Sequence, residues 1–205
     1  MSASGVEIGG RFARLYRLLD WPLRLLGLNL LWMVGVLAGG VLAGVSPASV
    51  ALFAVLREYL LGRPVRPWRD FWGHWRAEFV RAQLRLGVPL LTLWVAAFYL
   101  AMARGTPVAV PVAVLGALYL AALAYLPGVL VHFDLSAAKS WRLAAVAAWR
   151  SPLWTVGLGL TVAALLVVMV LVAPIAIPFF LPSVPAVLAM LVSLRVFTAL
   201  AGPVR

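Results

Sequence analysis

Apolar runs of about twenty residues alternate along this chain with short segments rich in arginine and aromatic residues. The runs lie at about 25–43, 46–61, 84–103, 107–131, 153–173 and 183–200. A helix needs about 20 mainly apolar residues to cross the hydrocarbon core of a bilayer. The pattern therefore predicts an all-α, polytopic transmembrane bundle of six spans, with residues 1–205 as a single membrane domain. If the short run at 46–61 lay on the membrane surface, the bundle would have five spans.

The second run begins with a helix-start signal. Ser46 is a candidate N-cap and Pro47 would take the first helical position, where its missing N–H costs nothing. Gly62, Pro64 and Pro67 then break the helix.

An amphipathic helix is predicted directly after this break. Its large apolar side chains recur at helical spacing: Trp68, Phe71, Trp72, Trp75 and Phe79. Arg69 and Arg76 lie off this stripe, a combination typical of a helix lying in the membrane interface. A soluble core helix is one alternative. A surface that docks on a partner membrane protein is another, because aromatic residues and arginine dominate binding hot spots.

Three further segments are polar or broken. Residues 1–24 predict an interfacial helix that bends at Asp20-Trp21-Pro22 before the first span, and residues 132–152 predict a weaker interfacial helix. The prolines that begin at Pro174 predict a loop or re-entrant stretch before the last span.

The basic residues fix the predicted orientation. Sixteen of the seventeen Lys and Arg residues fall on one side of a six-span bundle, and only Arg104 falls on the other. By the positive-inside rule, both termini and the amphipathic helices are cytoplasmic. The mean hydropathy of +1.06 indicates a membrane protein. The net charge of +11 fits binding to anionic lipid headgroups. This charge does not indicate nucleic-acid binding, since the basic residues flank apolar runs.

Polar groups inside the predicted spans are few. The candidate intramembrane polar sites are Asn29, Arg195 and Asp134. Asn29 would either form a hydrogen bond between helices or contact a substrate. The Arg195 side chain would either extend to the membrane interface or pair with Asp134 or Glu58.

No enzymatic motif accompanies these groups. The nearest approach to a site is His132-Phe133-Asp134, which the end of a span explains more simply. The chain has no cysteine, and no metal-binding, cofactor-binding or catalytic residue is predicted.

Three motifs resemble the YesL family, also called the DUF624 family, of bacterial membrane proteins. They are Asn29-Leu30-Leu31-Trp32, Pro47-Ala48-Ser49-Val50-Ala51-Leu52, and Arg69-Asp70-Phe71-Trp72 together with the preceding Arg57. The turn before Pro47 departs from the usual Thr- and Gly-containing family pattern. The resemblance implies a location in the bacterial cytoplasmic membrane and an association with carbohydrate-utilisation and sugar-uptake loci, but no catalytic residue.

We therefore expect an accessory or interaction component linked to carbohydrate uptake, with a sugar-uptake transporter or another membrane protein as its partner. The alternative is a small transporter or channel, and an intramembrane enzyme ranks third. Transport generally requires ionisable or unwound backbone sites near the middle of the membrane. A polar, water-accessible cavity at mid-depth would therefore favour the transporter.

Overall fold

The computed structural model describes residues 9–172 and 180–201, with side chains for 20–172 and 180–198. Within these ranges the chain forms α1 (Gly9–Ala38), α2 (Leu42–Leu60), α3 (Pro67–Ala82), α4 (Val88–Met102), α5 (Ala109–His132), α6 (Ala137–Arg150), α7 (Pro152–Val172) and α8 (Ser183–Ala201). A π-helical segment, Gln83–Gly87, joins α3 to α4. The described ranges contain no strand, which confirms the all-α prediction. The predicted proline-rich stretch after the fifth span lies mostly outside the described residues.

Four helical stretches are long and apolar enough to cross a membrane. They are Asp20–Ala38, Pro67–Met102, Ala109–His132 and Pro152–Val172, and they correspond to the first, third, fourth and fifth predicted spans. The runs at 46–61 and 183–200 also form helices, α2 and α8, but neither belongs to this group. Among the described residues, the structure therefore gives four candidate spans where the sequence predicted six.

Helix α2 occupies the centre of the bundle. Eleven of its nineteen residues are buried, and it packs against α1, α3, α5 and α8. Leu52, Val55 and Leu56 are at most 2% exposed and belong to a core that also includes Leu28 of α1 and Met190 of α8. Other helices thus surround α2 on most sides.

The start of α2 differs from the prediction. The helix begins four residues before Ser46, so Ser46 and Pro47 are buried inside it rather than capping it. The preceding turn has positive φ angles at Gly40 and Val41, and Leu42 N–H donates to the Gly40 carbonyl at 2.8 Å in a γ-turn. Because this turn already reverses the chain, the helix starts before the residues with N-terminal preferences.

Pro47 removes one hydrogen bond from the interior of α2, and Gln83 supplies another. A proline has no N–H to donate to the carbonyl four residues earlier, which here is that of Ala43. The side-chain Nε2 of Gln83 donates to that carbonyl instead. Gln83 is the first residue of the π-helical segment, so this contact also fixes the height of the α3–α4 junction beside the start of α2.

The predicted interfacial helix and the third span are one continuous rod in the structure. Pro67–Met102 runs unbroken through the π-helical segment for 36 residues. At about 1.5 Å per residue it is roughly 54 Å long, well beyond a hydrocarbon core of about 30 Å. The charged half, α3, packs along α2, and no residue of the apolar half, α4, is buried.

The predicted bend before the first span does not interrupt the helix. Helix α1 continues through Pro22, and an ion pair of 2.5 Å between Asp20 and Arg24 spans that position. An i,i+4 pair of this kind stabilises a helical turn. Side chains of the predicted interfacial segment before residue 20 lie outside the description.

The three motifs that carry the family resemblance meet where α1, α2 and α3 pack together. Trp32 Nε1 donates to Ser49 Oγ at 3.2 Å. Phe71 is fully buried, and its ring lies so close to Gly35 that a Cβ there would be 3.0 Å from it. At the start of α3, Asp70 Oδ2 accepts a 2.7 Å hydrogen bond from the Arg66 N–H. These contacts make the motifs structural neighbours.

Candidate functional site

Charged side chains converge in a cavity of about 440 Å³ near the ends of α2 and α5, which we name the basic cleft. Its charged and titratable lining comes from α2, α3, the π-helical segment, the end of α5 and the link that follows α5. These side chains are Arg57, His74, Glu78, Arg81, Arg85, His132 and Asp134. Apolar residues such as Val50, Ala54 and Phe133 complete the walls.

Arg57 ties two helices together at this cleft. Its Nε donates to Nδ1 of His132 at 3.3 Å, which joins α2 to the end of α5. Its terminal nitrogen Nη1 donates to Glu58 at 3.0 Å, and Glu58 also accepts from Arg63 at 3.0 Å. One carboxylate therefore serves two arginines. The Arg57 side chain is only 20% exposed, which strengthens its electrostatic interactions.

The other two arginines of the cleft have weaker partners. Arg85 is 18% exposed, and its nearest carboxylate oxygen, on Asp134, is 3.9 Å away on a side chain that is 94% exposed. Arg81 lies 3.8 Å from Glu78 and is 65% exposed. Both distances exceed the usual range of a hydrogen bond.

His132 is held in a defined orientation. Its ring lies 4.7 Å from that of Phe133 and 5.5 Å from that of Phe197, measured between centroids. Because Nδ1 accepts the hydrogen bond from Arg57, Nε2 carries the proton of the neutral ring. Together the arginines and this N–H form a set of hydrogen-bond donors suited to an anion.

A second cavity, of about 640 Å³, lies between α5, α7 and α8, and its lining is almost entirely apolar. We name it the apolar groove. Small side chains such as Ala121, Ala163 and Ala186 line its walls. The hydroxyl of Thr155, at one end, is hydrogen-bonded to Tyr125 and to the Ser151 carbonyl, both at 3.0 Å. Its polar group is therefore satisfied by the protein.

The three predicted intramembrane polar residues do not meet. Asn29 is buried in α1, and its Nδ2 lies 3.9 Å from Sδ of Met33. The guanidinium of Arg195, on α8, lies 5.5 Å from the ring centroid of Trp154, at cation–π distance. Asp134 lies in the link after α5. Neither Asp134 nor Glu58 pairs with Arg195, because their described partners are Arg85 and the Arg57–Arg63 pair.

The predicted aromatic stripe of α3 faces two ways. Phe71 is fully buried, and Trp72 and Trp75 pack against the same core. A chain of ring contacts, from Trp68–Trp72 at 5.9 Å to Trp75–Phe79 at 4.8 Å, follows the helix. Trp68 itself is 64% exposed, and Arg69 and Arg76 are exposed as well. This outer part of the predicted surface is therefore the most open to lipid or to a partner, whereas Trp72, Trp75 and Phe79 are only partly exposed.

The basic cleft is not predicted by the sequence alone, although one signal for it is present. His74, Glu78, Arg81 and Arg85 recur at intervals of four, three and four residues, which is helical spacing. They form a polar stripe on the face of the rod beside Arg57 and His132. The convergence of three helices required the tertiary structure. Within the described residues, no three His, Asp or Glu side chains gather in a way that could hold a metal ion.

Comparison with known proteins identifies relatives but no activity. Residues 25–100 match the family model described as "Protein of unknown function, DUF624". YteU of Bacillus subtilis (strain 168) is 33% identical over 137 residues, covering 63% of this chain and 61% of YteU. YesL of the same organism is 41% identical over 63 residues, covering 28% of this chain and 30% of YesL. YesV, also from this organism, is 30% identical over 177 residues, covering 83% of this chain and 85% of YesV.

All three relatives are named only as uncharacterized proteins. The chain spans less than two thirds of YteU and of YesL, whereas it spans most of YesV. No solved structure matches the chain. The family match and the similarity across most of YesV show that this chain belongs to the DUF624 family.

Proposed function

We propose that this protein is an accessory component of a membrane-embedded carbohydrate-uptake system and does not itself carry the solute. The observation that supports this proposal best is the distribution of polarity between the two cavities. The apolar groove lies within the helical bundle, whereas the basic cleft lies where α2 and α5 end.

A carrier of polar solutes needs polar or ionisable groups along its path through the bilayer. Apart from Thr155, the described lining of the apolar groove consists of alanine, leucine, valine, phenylalanine, glycine and proline residues, and the Thr155 hydroxyl is already hydrogen-bonded. Asn29 does not line this groove. Such a surface favours contact with lipid tails or another apolar helix over passage of a sugar.

The link to carbohydrate uptake rests on the family resemblance, which implies an association with sugar-uptake loci. The outer face of α3 is the candidate partner surface, because Trp68, Arg69 and Arg76 are exposed there. Aromatic residues and arginine at an exposed helix face are typical of binding hot spots. The expected partner is a membrane-embedded sugar transporter whose cytoplasmic edge meets this helix.

The proposed topology places α2 and α8 across the membrane together with the four long apolar helices, in a bacterial cytoplasmic membrane. The charge distribution supports this arrangement, since sixteen of seventeen basic residues then lie on the cytoplasmic side. The packing of charged α3 along α2 makes the position of α2 the critical point of the topology.

Site-specific photocrosslinking in the native membrane tests the accessory function. A photoreactive residue at Trp68 should crosslink to a component of a sugar-uptake system, whereas one at Leu115, an exposed position on α5, should crosslink to lipid. Crosslinking of the Trp68 probe to lipid alone would leave α3 as an interfacial anchor and contradict the proposal.

A transport assay tests the alternative. The purified protein, reconstituted alone into liposomes, should take up no radiolabelled sugar above the level of protein-free liposomes. Saturable uptake by the protein alone would make it a transporter in its own right.

A further inference from the structure

We propose that the basic cleft binds a phosphate-bearing ligand whose oxyanion lies among Arg57, Arg81 and Arg85. The ligand is either the headgroup of an anionic phospholipid or a small phosphorylated solute from the cytoplasm. This inference does not depend on the accessory role, since it concerns a different surface from the exposed face of α3.

The first support is incomplete charge neutralisation around partly buried cations. Arg57 and Arg85 are 20% and 18% exposed, and removing a charge from water is costly unless an opposite charge compensates it. Glu58, the partner of Arg57, is shared with Arg63. Asp134, the partner of Arg85, is almost fully exposed and 3.9 Å away. An added anion would complete the neutralisation.

The second support is the number of available donors. A guanidinium has five N–H donors. Within the described part of the chain, Arg57 uses Nε and one terminal nitrogen, and Arg85 makes no hydrogen bond. The 3.8 Å contact of Arg81 with Glu78 is likewise too long to be one. Donors from three segments of the chain therefore face one cavity.

The third support is pre-organisation. The hydrogen bond from Arg57 to His132 fixes the plane of the guanidinium, and the His132 ring contacts the rings of both Phe133 and Phe197. A donor held in place before binding loses less freedom when the ligand arrives.

The chemistry of the donors selects phosphate over a carboxylate. Guanidinium groups bind phosphate oxygens in a bidentate geometry. A carboxylate has two oxygens in one plane, whereas a phosphate group presents its oxygens tetrahedrally, which suits arginines that approach from α2, α3 and the π-helical segment. A phosphate monoester offers three terminal oxygens and nearly two charges, and a phosphodiester headgroup offers two such oxygens and one charge. The cavity volume of about 440 Å³ exceeds that of a phosphate ion and accommodates a headgroup or a small phosphate ester.

Two binding measurements on the full chain in a non-ionic detergent distinguish the two sources. Native mass spectrometry after addition of phosphatidylglycerol or phosphatidylcholine measures retention of lipid. Calorimetric titration with inorganic phosphate and with glycerol phosphate measures binding of a soluble anion. Selective retention of phosphatidylglycerol identifies the lipid source, and saturable binding of a soluble phosphate identifies the solute source.

Three single substitutions, each of which removes one positive charge, locate the site. Arg85→Gln removes the most buried cation of the cleft, and Arg81→Gln removes an exposed one whose loss leaves the packing intact. Arg76→Gln is the matched control, because Arg76 lies on α3 but outside the cleft. We expect the affinity for the bound probe to fall about tenfold in both cleft variants, which is the loss of roughly one charge-assisted hydrogen bond. The control should bind as the unmodified chain does.

Two results would overturn the proposal. One is the absence of binding by the unmodified chain in both measurements. The other is an equal loss of affinity in the Arg81→Gln and Arg76→Gln proteins, which would show attraction to the general positive charge of the surface.

Discussion

At Gly128 the absence of a side chain determines how closely α5 approaches α8. A Cβ at this position would lie 2.8 Å from Oγ of Ser193 and 3.0 Å from its Cβ. Small residues at helix contacts allow this closeness in membrane proteins, where packing replaces much of the hydrophobic drive for helix association. Ser193 is fully buried, and its hydroxyl has no hydrogen-bond partner in the described part of the chain.

Gly128→Ala should therefore destabilise the protein by about 1–3 kcal/mol, because the added methyl group forces α8 to shift. The measurement is the unfolding temperature in detergent. Gly116→Ala is the control on the same helix, since a Cβ there meets no atom within 4 Å, and it should be neutral or slightly stabilising. Equal destabilisation by both substitutions would attribute the effect to α5 itself and not to its contact with α8.

Gln83 compensates for Pro47, which lies in a different helix, and a double-mutant cycle can measure this relation. Gln83→Leu should cost about 1 kcal/mol, because the Ala43 carbonyl loses its donor. In a Pro47→Ala background the residue at 47 regains an N–H for that carbonyl, so the cost of Gln83→Leu should largely vanish. Chemical unfolding of all four proteins gives the coupling energy. The same cost in both backgrounds would mean that Gln83 acts through another contact.

At the scale of elements, the attachment of α3 to the bundle depends on the buried face of its aromatic stripe. Phe71→Ala should destabilise the protein by about 3–5 kcal/mol, since the ring is fully buried beside Gly35. Trp68→Ala removes a larger ring from the same helix but should change stability much less, because that side chain is 64% exposed. Thermal unfolding compares the two. A larger loss for Trp68→Ala would show that the exposed end, rather than Phe71, holds the helix in place.

The helical periodicity of α3 placed Phe71, Trp72 and Trp75 on one stripe, and these three side chains pack in or against the core, but local signals misplaced element boundaries. Ser46 and Pro47 have strong helix-start preferences, yet the Gly40–Val41 turn reverses the chain earlier and leaves both residues inside α2. Pro22 is a helix breaker by preference, yet α1 continues through it. In each case packing or a neighbouring turn outweighs a preference of one residue.

The basic cleft could be predicted from the sequence only in part. The stripe of His74, Glu78, Arg81 and Arg85 is readable from spacing alone. Its position beside Arg57 and His132, which are 75 residues apart in sequence, is not. No local pattern predicts that α2 and α5 end at the same height. The residues could be suspected individually, whereas the site could not be assembled without the fold.

At the scale of the whole molecule, the helices divide into a packed group around α2 and a group that exposes apolar surface. Helix α4 has no buried residue, and α7 has two. Large apolar side chains on both are widely exposed, among them Trp94 at 75% and Leu171 at 76%. Such a surface is stable against lipid and would be costly in water. We therefore expect α4 and α7 to lie in the hydrocarbon core.

The six-span topology predicts which loops reach the cytoplasm, and single cysteines in this cysteine-free chain can report it. Ser4, Pro64 and Ser136 should be protected in intact cells from a membrane-impermeant thiol reagent, whereas Pro107 should be labelled. Pro64 and Pro107 are better sites than the adjacent Gly62 and Gly105, whose φ angles of 69° and 81° would strain a cysteine. All four positions should be labelled in permeabilised cells, which controls for the reactivity of each cysteine.

Labelling of Pro64 together with protection of Pro107 would mean that α2 does not cross the membrane. The charged face of α3 would then lie on the opposite side of the membrane from the N-terminus. Pro64 is the decisive position, because it lies in the loop that joins α2 to α3.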